Sequence, residues 1–126
     1  MHREYEVEVE RVFRARQGLS SPVRAAAGLP SVSEIEVVLR AGVGFGEGQL
    51  TERGWFVDTD ALAARLDEWV RLLSGQPWPA LFAFRPTFEL VAREIFGRLA
   101  PHVPQLAYVE LADRTFGSRT RYRPGI

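Results

Sequence analysis

Apolar and charged residues alternate at the start of the chain, where Tyr5, Val7 and Val9 are interleaved with Glu4, Glu6, Glu8 and Glu10 on the way to Phe13. A period of two places the apolar residues on one side of an extended segment and the glutamates on the other, so Glu4 to Phe13 reads as a half-buried strand. A loop rich in Ser, Pro, Ala and Gly follows from Gln17 to Ser33. Ile35, Val37 and Leu39 then alternate with Glu36 and Val38, which predicts a second strand over Glu34 to Arg40. Four glycines fall between Gly42 and Gly48 and read as a turn or flexible loop. No Gly-Lys-Ser/Thr ending follows them, so they do not form a phosphate cradle.

Beyond Asp58 the period changes. Leu62, Leu66, Trp69 and Leu73 share one face of a helix that Asp58 or Thr59 can cap. Ser74 to Arg85 carries Gly75, Pro77 and Pro79 and reads as a connection with Trp78, Phe82 and Phe84 as aromatic anchors; these and Trp55 are placed where an apolar substrate could meet them. A second helix begins at Pro86-Thr87 with Thr87 as cap and Glu89 in the first turn, and its apolar face is Phe88, Val91, Ile95 and Leu99. Pro101 and Pro104 end it, and alternation returns over Leu106 to Leu111 and, after a turn at Asp113-Arg114, over Phe116 to Tyr122.

The order strand, strand, helix, helix, strand, strand predicts an α+β fold. Its expected form is an antiparallel four-stranded sheet with both helices on one face, one domain over residues 1–126. Uncovered outer strands of such a sheet pair readily with neighbours, a physical reason to expect a homo-oligomer.

Composition removes several chemistries. The 126 residues include no Cys, no Lys and no Asn, and only two histidines, His2 and His102. A Schiff-base lysine, a thiolate nucleophile and a cysteine-held zinc are therefore impossible. Sixteen arginines balance sixteen Asp and Glu for a net charge of zero, so no global field draws nucleic acid to the chain. No apolar run approaches the roughly 20 residues of a membrane span. The expectation is a cytoplasmic protein with neither nucleic acid nor membrane as partner.

Several local motifs, in order and on the expected elements, resemble the 6-pyruvoyltetrahydropterin synthase and 6-carboxytetrahydropterin synthase family, whose architecture is the tunnelling fold. Phe13-Arg14-Ala15-Arg16-Gln17-Gly18-Leu19 is similar to the end of the family's first strand, and Gly54-Trp55-Phe56-Val57-Asp58 resembles its entry to the first helix. Pro86-Thr87-Phe88-Glu89 resembles the start of the second helix, Tyr108-Val109-Glu110 the late strand motif, and Tyr122 with Pro124 the terminal aromatic and proline.

The resemblance implies a zinc ion on three histidines, and this chain departs from it at all three. Gln17 stands at the first, and the other two fall near Leu29-Pro30-Ser31. None of these side chains replaces a neutral imidazole, so no metal and no other cofactor is expected. The family's cysteine and its Asp-His pair are also missing, so ordinary synthase activity is not expected. What the resemblance leaves is a pocket for a small, pterin-like molecule, formed between subunits. Glu110 would clamp a guanidine-like edge through paired hydrogen bonds, with Thr87 and Glu89 nearby. Glu110 is also the expected acid or base, with Tyr108 as a further catalytic candidate.

Two functions follow from this. One is a zinc-independent lyase, cyclase or isomerase acting on a small cyclic or conjugated substrate. The other is a catalytically silent binding or partner subunit that retains the fold. The plainest alternative for the anchor itself is that Glu110 pairs with an arginine across a subunit interface and Glu89 serves only its helix.

Overall fold

The computed structural model describes residues 4–19, 22–28, 33–50, 54 and 58–125. Strand β1 (Tyr5–Ala15) pairs with β2 (Ile35–Phe45), β2 with β3 (Leu106–Asp113) and β3 with β4 (Ser118–Tyr122). All three pairings are antiparallel, and the sheet order is β1-β2-β3-β4. A short helix α1 (Pro22–Ala26) lies between β1 and β2; helices α2 (Thr59–Gly75) and α3 (Phe88–Leu99) lie between β2 and β3. This is the anticipated architecture, with α1 as an addition inside what reads as a loop.

Both long helices start where side chains satisfy their free amide groups. Asp58 accepts from the Ala61 N–H at 3.0 Å, and Thr87 Oγ1 accepts from the Leu90 N–H at 3.2 Å. Their buried stripes, Leu62, Leu66 and Leu73 on α2 and Phe88, Val91, Ile95 and Leu99 on α3, join one core with Phe13, Ile35, Val37, Leu39, Val109 and Leu111 of the strands. The strand residues in this core have odd numbers, as alternate positions facing one side must. Helix α2 lies against β1, and α3 lies against β3 and β4. One face of the sheet is thus covered; the other, open face is made up of even-numbered positions on β1, β2 and β3 and, because the register shifts parity, of the odd-numbered Arg119 and Arg121 on β4.

Three expectations need correction. Strand β2 does not end at Arg40; it runs to Phe45, taking in Gly42 and Gly44, so only the last two of the four glycines lie in the turn that includes Glu47–Gln49. Gly42 tolerates the strand because its missing side chain is replaced by the ring of Tyr108, as described below. Trp78 is not a loop aromatic open to a substrate. It is fully buried, and its indole N–H donates to the Leu73 carbonyl at 2.9 Å, which pins the 3-10 turn Trp78–Ala80 beneath the end of α2. Phe82 and Phe84 stack on one another at 4.9 Å and pack against the core, while Trp55 lies outside the described residues. The last strand begins at Ser118, because Phe116 belongs to a turn closed by its amide on the Asp113 carboxylate at 3.0 Å.

Candidate functional site

The open face is organised by strand register. Glu10 on β1 stands opposite Arg40 on β2, Arg40 opposite Glu110 on β3, and Glu110 opposite Arg121 on β4. One row of four residues therefore crosses the whole sheet with alternating charge, the cross-strand arrangement in which opposite charges attract. Arg40 donates to Glu110 Oε2 at 2.6 Å and to Glu10 Oε1 at 2.6 and 2.8 Å. From the other side, the Nε and one terminal nitrogen of Arg121 converge on Glu110 Oε1 at 3.1 and 3.0 Å.

Glu110 is the centre of the row and its side chain is only 1% exposed. Burial pushes its carboxyl upward, but the hydrogen bonds from Arg40 and Arg121 outweigh burial and hold it below the ordinary carboxylate value. For Arg40, burial works against the charge and the hydrogen bonds to Glu110 and Glu10 prevail, so its pKa is raised. The pairing anticipated between Glu110 and an arginine of another subunit is met within the chain, twice.

The next row on the same face is Glu8, Gly42 and Tyr108. The Tyr108 ring lies flat over Gly42, and its hydroxyl reaches across to donate to Glu8 at 2.5 Å, with Glu6 at 3.2 Å. Burial first, and then these carboxylates, raise the Tyr108 pKa far above the ordinary tyrosine value, so its proton stays. On the outer side of the ring, the guanidinium carbon of Arg121 stands 3.9 Å from the ring centroid and that of Arg123 at 5.1 Å. Glu8 also approaches Arg40 at 3.7 Å and Arg121 at 4.0 Å, tying the two rows together. A third row, Val12, Val38 and Ala112, bounds the charged region with apolar side chains.

Thr87 and Glu89 are elsewhere. Thr87 caps α3 and Glu89 is exposed in its first turn; no hydrogen bond or ion pair links either to Glu110 within the chain. Glu110 and Tyr108, by contrast, are brought together through Arg121. Sequence reasoning missed Arg40, Arg121, Glu8 and Gly42. Their signal was parity: Arg119 and Arg121 alternate with Thr120 and Tyr122 as Glu8 and Glu10 alternate with Val7 and Val9.

The side chains present do not fit a three-histidine zinc site. Gln17 is 8% exposed and donates its amide to the Pro86 carbonyl at 3.1 Å, a structural tie between the end of β1 and the start of α3. Leu29, Pro30 and Ser31 lie outside the described residues. His102 is exposed in the turn after α3, beside Arg65 and Leu99 on the helix side. Among the described residues, no three His, Cys, Asp or Glu side chains are grouped to hold a metal ion.

In sequence comparisons the chain matches no family model and no curated protein. Structure is more telling: the fold superposes on that of Caenorhabditis elegans 6-pyruvoyl tetrahydropterin synthase with a TM-score of 0.65, over 99% of this chain and 100% of that chain. This chain has the tunnelling fold. At 15% identity the likeness is one of backbone course, kept while most side chains differ. Within the tunnelling fold, no helix among the described residues is long and apolar enough to cross a membrane.

Proposed function

We propose that this protein binds a small, planar, pterin-like molecule on the open face of its sheet, with Glu110 as the anchor and without zinc. The observation that carries this reading is the state of Glu110: a buried carboxylate held ionised, with both oxygens matched to planar N–H donors. A carboxylate of this kind suits the amino-pyrimidine edge of a pterin, which presents N–H groups side by side much as a guanidinium does. The likeness of fold to a pterin synthase supports the same ligand class. In a homo-oligomer joined through strand edges, the open faces of neighbouring copies line a shared cavity, and Thr87 and Glu89 of one copy reach the Glu110 site of another.

Binding without turnover is the reading the side chains favour. Glu110 keeps its charge and Tyr108 keeps its proton, and each is engaged by partners, so neither is a free proton carrier. A second reading, a metal-free lyase, cyclase or isomerase, draws on one observation: the Tyr108 hydroxyl and the Glu8 carboxylate share a short hydrogen bond beside Glu110, a donor and acceptor already in line.

The test is a fluorescence titration with neopterin on the wild type, Glu110→Ala and Glu110→Gln. Saturable binding that weakens by roughly tenfold or more in both variants is expected, the size of one lost pair of charge-assisted hydrogen bonds. Binding that survives in both removes Glu110 as anchor, and absence of binding to the wild type removes the pterin class. Product formation in the same mixtures, read by chromatography, separates the enzyme from the silent binder.

A further inference from the structure

We infer that Arg121 is an internal stand-in for the ligand: its guanidinium occupies the place where a planar guanidine or amidine edge is held, and binding is an exchange in which Arg121 leaves. The inference rests on the binding reading above and adds a residue that sets affinity. Two features coincide at Arg121. Its planar head stands 3.9 Å from the centroid of the Tyr108 ring, the distance of a stacked ring or cation on an aromatic face. Its Nε and a terminal nitrogen both meet Glu110 Oε1 at 3.1 and 3.0 Å, two adjacent N–H donors of one planar group such as the edge of a cyclic guanidine also offers. Aromatic face below and carboxylate at the edge are together what such a heterocycle needs, and the chain fills both with its own side chain.

Arg40 cannot play this part. Its side chain is 24% exposed, it is held from both sides by Glu10 and Glu110, and it sits on an inner strand. Arg121 is 37% exposed and belongs to a five-residue strand at the sheet edge. When it swings out into solvent, Arg40 continues to hold Glu110 Oε2. The departing guanidinium thus leaves for the ligand one carboxylate oxygen and the part of the ring face it covered, with Arg123 still 5.1 Å from the ring centroid. Apparent affinity is then lower than intrinsic affinity by the fraction of molecules in which Arg121 is out.

The experiment compares the wild type with Arg121→Ala, Arg121→Lys and, as a charge control on the same strand and face, Arg119→Ala. Two probes are used: neopterin, by fluorescence titration, and millimolar guanidinium chloride against sodium chloride at equal ionic strength, by thermal unfolding. Arg121→Ala is expected to bind neopterin roughly tenfold or more tightly than wild type, with Arg121→Lys shifted the same way and Arg119→Ala unchanged. Guanidinium, and not sodium, is expected to raise the melting temperature of Arg121→Ala by refilling the vacated place. Wild-type binding that depends on Glu110 but is no tighter in Arg121→Ala or Arg121→Lys overturns the exchange while leaving the binding reading intact. Rescue by guanidinium with no neopterin binding by any variant supports the stand-in role and removes the pterin class instead. The absence of both rescue and tighter binding overturns the inference, and Arg121→Lys supplies the binding answer should Arg121→Ala fail to fold.

Discussion

The ring of Tyr108 rests on the backbone of Gly42: a Cβ placed at that glycine would stand 2.2 Å from two of the ring carbons and 2.6 Å from the hydroxyl oxygen. The contact explains how a glycine sits inside a central strand without leaving a hole, and it lays the ring flat so that the hydroxyl reaches Glu8. Substituting Gly42→Ala forces the ring away and should cost about 1–3 kcal/mol, the range of overpacking a filled site. In a Tyr108→Ala background the same substitution no longer meets the ring and should cost well under about 1 kcal/mol. Urea unfolding of the four proteins gives the coupling, and equal costs in the two backgrounds would show that the ring does not rest there.

The two arginine contacts of the charge row differ in burial and should differ in effect. Arg40→Ala takes one of the two arginine partners from the buried Glu110 while Arg121 remains, so it should cost about 1.5–3 kcal/mol, the size of a lost hydrogen bond to a charged group. Glu10 is half exposed, so Glu10→Ala removes a contact that water largely replaces, at a cost of about 1 kcal/mol or less. Similar losses for the two variants in urea unfolding would mean that the row is a surface ladder and that Glu110 is not its centre.

Acid should act through Glu110. Its folded pKa lies below the ordinary value of 4.5, so the contribution of its charge is present above that value and disappears as pH falls through the lowered, folded one. The stability gap between wild type and Glu110→Gln should be constant near neutrality and should narrow only under acid conditions below the ordinary value. Unfolding free energies from pH 7 downward test this. A gap that widens with acid would reverse the sign and place the carboxyl in a neutralising environment.

Local pattern reveals most of this fold because each element buries one face. The glutamates of β1 mark its open side, and Asp58 and Thr87 mark helix starts because their oxygens satisfy free amides there. Gly42 misled for a physical reason: a strand interior tolerates glycine when a distant side chain, here Tyr108, fills the gap, and that partner is 66 positions away. The same holds for the site. Glu110 stands out as a carboxylate between Val109 and Leu111, but its partners are set by register, and register joins residues 40, 110 and 121 only after the sheet is paired. Trp78 shows the converse error, since a Pro-flanked tryptophan looks like a surface anchor until its N–H is seen to satisfy the last turn of α2.

Zinc should be irrelevant to both stability and ligand binding. Gln17 is committed to the Pro86 carbonyl, so Gln17→Leu, which keeps volume but removes the donor, should destabilise by about 1–2 kcal/mol without changing any metal response. Exhaustive dialysis against a chelator, and then readdition of zinc, should leave the melting temperature and the neopterin titration of the wild type unchanged. A stoichiometric zinc content by atomic absorption, or loss of binding after chelation, would contradict the metal-free site.

Alkali should act through Tyr108, with the opposite sign to acid. Its folded pKa is raised, burial contributing most and Glu8 next, so the folded protein retains a proton that the unfolded chain releases near pH 10. The stability this retained proton provides is complete below that pH and is lost progressively as the pH rises above it. Wild type and Tyr108→Phe should therefore differ by a fixed amount at neutral pH, reflecting the hydrogen bond to Glu8, and converge at high pH as the wild type loses the contribution that phenylalanine never had. In the folded wild type, ultraviolet titration of tyrosinate should find Tyr108 still protonated when the unfolded chain has fully ionised. If Tyr108 instead ionises at the ordinary value, the hydroxyl is open to water, the Glu8 contact is not formed in solution, and the ring is not fixed as the platform on which Arg121 lies.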